Sequence, residues 1–290
     1  MGVKPAICVS LESPLMAMKF YHNIARYAGR FHHNYQFGGT HERLAGTGTV
    51  FHPIVFPMET RTPLPLQSWD NRKYLILVNS NKRSVNRNFG NLRESAHSVL
   101  SQIRSWYLQA IDPWMRIREI YKDRIEAIYY FSNCIDFHLY GIGWDQPIQG
   151  FGPDYHQAAL KVYSGIIPAN LQRKREVMSD FKFAICFENC AFPGYVTEKI
   201  FDCFLAGCIP VYFGAPDITD FIPKESFIDF REFGNYVELD RFLREMTEVD
   251  FQKYIGAARD FLASSEFNKF TVDYFVNDIL NVIEQEFAHK

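Results

Sequence analysis

The segment over residues 181–213 constrains the fold more than any other part of the chain. It contains two apolar runs, Phe181–Phe187, in which Lys182 is the one charged residue, and Ile209–Phe213, separated by a helical pattern over residues 197–205. A strand that is apolar at every position is typical of a parallel sheet whose two faces are both covered by helices. The segment therefore predicts a strand–helix–strand unit within an α/β sheet.

The same alternation continues through the rest of the chain. Short apolar runs predict strands over residues 6–11, 74–78 and 135–140. Helical patterns cover residues 92–131, with a break at Pro113, and residues 170–179, 237–246, 251–263 and 272–287. Residues 20–66 are less regular, and the proline-rich and polar composition of residues 57–70 is typical of a linker.

The composition excludes several classes of protein. The 31 basic and 33 acidic residues leave a net charge of −2, which does not fit a surface built to bind nucleic acid. No stretch reaches the roughly 18 apolar residues that span a bilayer. The six cysteines lie mostly inside apolar runs, which favours reduced thiols over a disulfide framework or a zinc site. We expect a cytoplasmic protein without a membrane span, and leave peripheral membrane attachment open.

Polar residues at the end of one predicted strand and at the start of the following helix form the candidate site. Glu188 and Asn189 follow the strand, and Thr197, Glu198 and Lys199 open the helix. A helix N-terminus presents unpaired N–H groups and the positive end of the helix dipole, which suits a pyrophosphate, and Lys199 adds a full charge. The spacing alone leaves two interpretations open, a helix cap at Thr197 or a phosphate site.

This segment resembles the donor-binding signature of the family-10 α1,3-fucosyltransferases of the bacterial type. In that family a strand ends in FEN and YVTEK opens the next helix, which correspond here to residues 187–189 and 195–199. VSLESP, over residues 9–14, is similar to a family strand that ends in an acidic residue. Arg124-Ile125-Glu126 resembles the family's helix with a phosphate-binding arginine. Residues 30–70 match poorly, so acceptor specificity is not carried over.

The resemblance implies an α/β fold of the GT-B architecture, in which two Rossmann-like domains face each other across a cleft. We place the acceptor-side domain at residues 1–68 and the GDP-fucose-binding domain at residues 69–290, with the last helix crossing back to the first domain. Fewer than 70 residues is short for a Rossmann-like half, so the N-terminal domain is either minimal or incomplete.

The resemblance also implies the reaction and its participants. L-fucose would pass from GDP-β-L-fucose, with inversion, to a hydroxyl of an oligosaccharide acceptor that contains galactose or N-acetylglucosamine. No metal or other cofactor is required. Glu12 would be the general base, and Lys199 and Arg124 would pair with the diphosphate of the donor.

The resemblance assigns the remaining donor-binding residues to the same site. Tyr195 and Glu198 would contact the ribose or the fucose, and Asn189 would hold the same loop or the sugar. The full donor-binding set is Arg124, Asn189, Tyr195, Thr197, Glu198 and Lys199.

The residues themselves leave alternatives open. Glu12 also fits a solvated strand end, and Arg124 fits a surface i,i+4 network. The basic run 173–175 has a solvated helix face as its default interpretation, with steering of GDP as the alternative. Two other functions remain open, a transferase that uses another nucleotide sugar and a non-catalytic protein that binds a nucleotide sugar.

Overall fold

The first sheet is built from the N-terminal part of the chain. The computed structural model describes residues 6–60, 62–81, 107, 110–112, 114, 117–134, 136–168 and 170–288. Strands β1 (Ile7–Val9), β2 (His33–Gln36) and β3 (Val50–Pro53) pair in parallel in the order β1-β2-β3. Glu12 follows the first of these strands, so it lies near the carboxyl edge of this sheet.

The second sheet has six parallel strands, and an antiparallel ribbon lies beside it. The strands are β4 (Lys73–Val78), β5 (Arg118–Glu119), β6 (Phe137–Tyr140), β7 (Tyr163–Gly165), β8 (Phe181–Phe187), β9 (Cys190–Ala191), β10 (Ile209–Phe213) and β11 (Ile228–Asp229). The sheet has the order β11-β10-β8-β4-β6-β7, and β5 pairs with β9 in the ribbon. The order reverses between β4 and β8, and open α/β sheets bind ligands at such a reversal, outside the carboxyl ends of the strands.

Helices cover both sheets. The described α-helices are α1 (Met18–His22), α2 (Ile24–Ala28), α3 (His41–Leu44), α4 (Tyr121–Phe131), α5 (Pro153–Val162), α6 (Leu171–Ser179), α7 (Glu198–Ala206), α8 (Tyr236–Glu245), α9 (Glu248–Ala263) and α10 (Val272–Ala288). Within the part of the chain that the structure describes, no helix combines the length and the apolar character needed to cross a bilayer.

Strand β8 is apolar at every position except Lys182 because both of its faces are covered. Phe183, Ile185 and Phe187 occupy alternate positions and belong to one core cluster, which includes residues of α4 and α9. Ala184 and Cys186 point the other way and belong to the cluster that contains α7. The almost entirely apolar composition of the strand thus follows from its central position in the sheet.

Helix α7 is fixed firmly in this core. All seven side chains over residues 200–206 are buried. The helix ends at Gly207, whose φ of 73° is left-handed and favours glycine. A Cβ at this position would lie 2.7 Å from Cδ2 of Leu66. The N-terminus of the helix is therefore held in one place at the carboxyl end of β8.

The segment predicted as a linker and the last helix tie the two sheets together. Met58 N donates to the carbonyl of Phe270 at 2.6 Å, so the linker segment lies against the C-terminal part of the chain. Helix α10 packs against the first sheet, where the Tyr35 hydroxyl donates to Asp278 at 2.8 Å. The exact boundary between residues 68 and 69 stays a prediction.

Most strands of the second sheet agree with the sequence patterns, whereas two strands of the first sheet were missed. The structure confirms the α/β class and the bounds Phe181–Phe187 and Ile209–Phe213. Strand β2 lacks an apolar run because Asn34 and Gln36 are buried polar residues. Half of the predicted helix over residues 92–131 lies outside the described residues, α4 covers its C-terminal end, and the prediction is wrong at Arg118–Glu119, which form strand β5.

Candidate functional site

A cavity of about 660 Å³ opens at the carboxyl ends of β4, β6 and β8, where the strand order reverses. Leu11 and Glu12 line it from the first sheet, and Asn79 lines it from the end of β4. Six of the seven predicted site residues line this cavity, namely Glu12, Asn189, Tyr195, Thr197, Glu198 and Lys199. The structure therefore brings residues from both sheets to one space of a size that suits a small ligand.

Glu188 is the anchor of the site, whereas the sequence analysis places it at the strand end without assigning it a role in donor binding. Its side chain is fully buried at the end of β8. One carboxylate oxygen accepts from Thr197 N at 2.9 Å and from the Thr197 hydroxyl at 2.8 Å, and the other accepts from Lys199 Nζ at 2.8 Å. These contacts hold the start of α7 against the end of β8.

Lys199 lies at the cavity wall, paired with this carboxylate. Its side chain is 23% exposed, and its Nζ also donates to the Thr197 hydroxyl at 3.0 Å. Burial lowers the pKa of the ammonium, but attraction to Glu188 and Glu198 outweighs burial, so the pKa lies above its usual value. Lys199 is thus a fixed cation at the N-terminus of α7.

Thr197 takes the N-cap position, as predicted, but not the usual capping role. Its backbone is extended, with φ −112° and ψ −175°, and its side chain makes no capping hydrogen bond. The hydroxyl instead contacts Glu188, so it does not occupy the amide donors of the first helical turn. The simple interpretation of Thr197 as a helix cap is therefore wrong with respect to its side chain.

Arg124 lies behind the cavity rather than in its wall. Arg124 is 1% exposed, and its guanidinium donates to the Phe187 carbonyl at 2.7 and 3.1 Å and to Asn189 Oδ1 at 3.0 Å. Its buried Nη1 has no hydrogen-bond partner among the described residues. Burial lowers its pKa, and Glu188 opposes that effect. The alternative of a surface network is wrong for Arg124, while direct contact with a diphosphate stays a prediction.

Asn189 and Tyr195 form the wall between Arg124 and the first sheet. Asn189 accepts from Arg124 and donates through Nδ2 to the Tyr195 hydroxyl at 3.3 Å. Tyr195 is buried against Phe37, with ring centroids 5.0 Å apart. Burial, followed by the charge of Glu188, raises the pKa of Tyr195, so its hydroxyl stays neutral. The Arg124–Asn189–Tyr195 chain fixes the Asn189 amide at the cavity.

A second buried carboxylate, Asp202, lies on α7 about one turn after its first residue, Glu198. Asp202 is fully buried and accepts from Lys174 Nζ at 2.7 Å and from Arg175 Nε at 2.9 Å, both on α6. Lys174 lines the cavity. The default interpretation of residues 173–175 is a solvated helix face. It is correct for Arg173, whose side chain is 59% exposed, and wrong for the next two residues.

Glu12 lies on the opposite side of the cavity and is exposed. Its backbone carbonyl accepts from the Tyr21 hydroxyl at 2.7 Å, and Tyr21 is itself fully buried. The main chain at Glu12 is therefore anchored while its carboxylate remains accessible. Across the described residues, no cluster of three His, Cys, Asp or Glu side chains is arranged to hold a metal ion.

Residues 119–269, more than half of the chain, match the family model "Glycosyltransferase family 10 (fucosyltransferase) C-term". The α-(1,3)-fucosyltransferase FucT of Helicobacter pylori is 40% identical over 87 residues, which cover 30% of this chain and 16% of that protein. The 4-galactosyl-N-acetylglucosaminide 3-alpha-L-fucosyltransferase 9 of Mus musculus is 30% identical over 142 residues, which cover 48% of this chain and 34% of that protein. The matched stretches thus span about a third of these relatives or less.

Solved structures show the same fold. HepE of Anabaena, in complex with UDP and glucose, is 12% identical, and the match covers 97% of this chain and 71% of that chain with a TM-score of 0.54. A TarM variant of S. aureus is 11% identical, and the match covers 92% of this chain and 46% of that chain with a TM-score of 0.53. The predicted GT-B architecture is confirmed.

Proposed function

Since the chain belongs to glycosyltransferase family 10, we propose that it is an inverting α1,3-fucosyltransferase that uses GDP-β-L-fucose. The acceptor is an oligosaccharide that contains galactose or N-acetylglucosamine. The name of the mouse relative, a 4-galactosyl-N-acetylglucosaminide 3-alpha-L-fucosyltransferase, supports this acceptor class. The matched stretch covers 34% of that relative, so the acceptor remains part of the proposal.

One observation carries the proposal. A single cavity has an accessible carboxylate, Glu12, on the side of the first sheet and the N-terminus of a buried helix, with Lys199, on the other side. A sugar held between them has a base beside its acceptor and a cationic surface beside its leaving group. These are the two groups that a single displacement requires.

The charges around the start of α7 favour a diphosphate. Four cations lie at or behind the wall of the cavity, namely Arg124, Lys174, Arg175 and Lys199. They face two fully buried carboxylates, Glu188 and Asp202. Glu198 at the cavity wall adds a third negative charge, which leaves an excess of one positive charge. The helix dipole adds roughly half a charge of the same sign.

The proposed reaction is one displacement. The acceptor oxygen forms a bond to the anomeric carbon of fucose as the bond from that carbon to the diphosphate oxygen breaks. The electron pair leaves with GDP, whose growing charge is stabilised by Lys199 and the first turn of α7. Glu12 takes the proton of the acceptor hydroxyl. Attack opposite the leaving group turns the β-linked donor into an α-linked product.

Two variants test the proposal. We expect Glu12→Gln to lower transfer of labelled fucose by about 100-fold or more while the Kd for GDP changes less than about 2-fold. Glu59→Gln is the matched control, because Glu59 is an exposed acid that does not line the cavity. Absence of GDP binding by the wild-type protein contradicts the proposal.

Donor screening separates the proposal from its rivals. Thermal shifts with GDP-fucose, GDP-mannose and UDP-glucose should show the largest stabilisation with GDP-fucose. A larger shift with another nucleotide sugar supports a transferase with a different donor. A non-catalytic binding protein would bind GDP but show neither fucose transfer nor slow hydrolysis of the donor. Its GDP binding would not change on Glu12→Gln.

A further inference from the structure

Lys174 adds its charge to the cation-rich wall of the cavity, but the proposed reaction assigns it no contact with the donor. It projects from α6 toward Asp202 of α7 and lines the cavity that contains the candidate site. It also lines a small space of about 20 Å³ behind that cavity, together with Arg124 and Lys199. Lys174 is therefore positioned between the buried cations and the space that a ligand would fill.

The carboxylate that holds Lys174 has a second cation. Asp202 accepts from Lys174 through one oxygen and from Arg175 through the other. The Arg175 side chain is 7% exposed and the Lys174 side chain is 22% exposed, so Lys174 is the outer partner. Asp202 would keep its buried ion pair with Arg175 if Lys174 turned away. The long, flexible lysine stem permits such a turn.

Lys199 is not free to move in the same way. Glu188 is fully buried, and Lys199 is the cation that contacts it among the described salt bridges. Movement of Lys199 toward a ligand would leave Glu188 with the neutral donors of Thr197 as hydrogen-bond partners and with the charge of Arg124, which forms no described ion pair with it. An uncompensated buried charge is strongly unfavourable, so Lys199 stays with its carboxylate.

We propose that Lys174 is a further donor-binding residue, which leaves Asp202 and donates to the oxygens of the donor's diphosphate while Arg175 keeps Asp202 paired. This inference rests on the proposed function, because it assumes a nucleoside diphosphate in the cavity. Lys199 and the helix N-terminus then provide the fixed positive charge, and Lys174 provides the mobile one.

The test compares Lys174→Gln with Arg173→Gln by calorimetric titration with GDP and with guanosine. Both changes remove one positive charge from α6, but Arg173 is 59% exposed, pairs with Glu176 and does not line the cavity. We expect Lys174→Gln to weaken GDP binding by about 10- to 100-fold, the range for a lost charged hydrogen bond, and to leave guanosine binding unchanged. Arg173→Gln should change GDP binding less than about 2-fold.

The outcomes separate this inference from the proposed function. Absence of GDP binding by the wild-type protein defeats the proposed function. GDP binding by the wild-type protein that Lys174→Gln leaves unchanged overturns only the role of Lys174. An equal loss of GDP and guanosine binding, with a lowered Tm, shows a structural role and also overturns it.

A measurement on the wild-type protein covers the case in which Lys174→Gln does not fold. Acetylation of Lys174 by an amine-reactive ester is followed by mass spectrometry, with the exposed Lys253 as the internal reference. GDP should protect Lys174 and guanosine should not. Equal protection by the two ligands, or none by either, contradicts the inference.

Discussion

Replacing Lys199 with methionine removes the cation from a buried carboxylate and tests how the site is held together. Methionine keeps the length and apolar stem of the side chain, while Glu188 loses its 2.8 Å contact with Nζ and keeps Thr197. Breaking a buried ion pair by removing one partner costs about 3–5 kcal/mol. Because Lys199 is 23% exposed and water reaches its ammonium, we expect a loss of about 3 kcal/mol, at the lower end of that range.

This loss corresponds to a measurable change in Tm. An unfolding entropy of about 2.1 cal/mol/K per residue gives about 600 cal/mol/K for a chain of this length. A loss of about 3 kcal/mol then lowers Tm by about 5 °C. Differential scanning calorimetry in the absence of nucleotide measures the shift directly. Lys253→Met is the control, since Lys253 forms an exposed pair with Asp250, and we expect its Tm to change by about 1 °C or less.

A second substitution separates stability from ligand binding. Adding Glu188→Gln to Lys199→Met removes the unpaired charge. We therefore expect the double variant to recover at least half of the decrease in Tm that Lys199→Met causes. We expect the single and the double variant both to bind GDP more weakly than the wild-type protein, because the fixed cation is absent from both. A Tm for Lys199→Met equal to that of the wild-type protein refutes the reasoning, and so does a double variant that is less stable than the single one.

Two further predictions concern the scaffold. Gly207→Ala places a Cβ at a φ of 73° and 2.7 Å from Leu66, so we expect a loss of about 1–2 kcal/mol and a Tm lower by about 2–3 °C. Gly256→Ala, in a helix with open space around the added Cβ, should be neutral or stabilising in the same calorimeter. Burial, followed by the charge of His33, lowers the pKa of His52. The unfolded chain therefore binds more protons than the folded chain as the pH falls through about 6.5, and stability should decline there. In urea titrations from pH 7.5 to pH 5, His52→Gln should flatten this decline, and an unchanged slope would show that His52 does not cause it.

The sequence was sufficient for four of the six strands of the second sheet, because the apolar composition of those strands reflects their burial. Phe181–Phe187 and Ile209–Phe213 are apolar at every position except Lys182 because helices cover both faces, so their bounds could be predicted. Strand His33–Gln36 could not, because its buried Asn34 and Gln36 give no apolar run. The Asn34 amide bonds to Ala28 O and to Thr49, which are contacts that only the tertiary structure supplies.

Site residues that are close together in the chain could be predicted from the sequence. Residues whose role depends on an ion pair with a different helix or strand were harder to predict. The start of α7 follows the end of β8 after a short loop, and Lys199 and Asn189 line one cavity, while their contact with a donor stays a prediction. The role of Glu188 depends on its complete burial, which a residue at a strand end does not reveal. Lys174 is distinguished from the exposed Arg173 only by the buried Asp202 on a different helix.

A crystal structure of the protein with GDP tests the central claim most directly. The account predicts that the diphosphate lies in the cavity at the N-terminus of Glu198–Ala206, within hydrogen-bond distance of first-turn amides and of a lysine, and faces Glu12 across the cleft. A diphosphate bound elsewhere, or a cavity without nucleotide at saturating GDP, would contradict it.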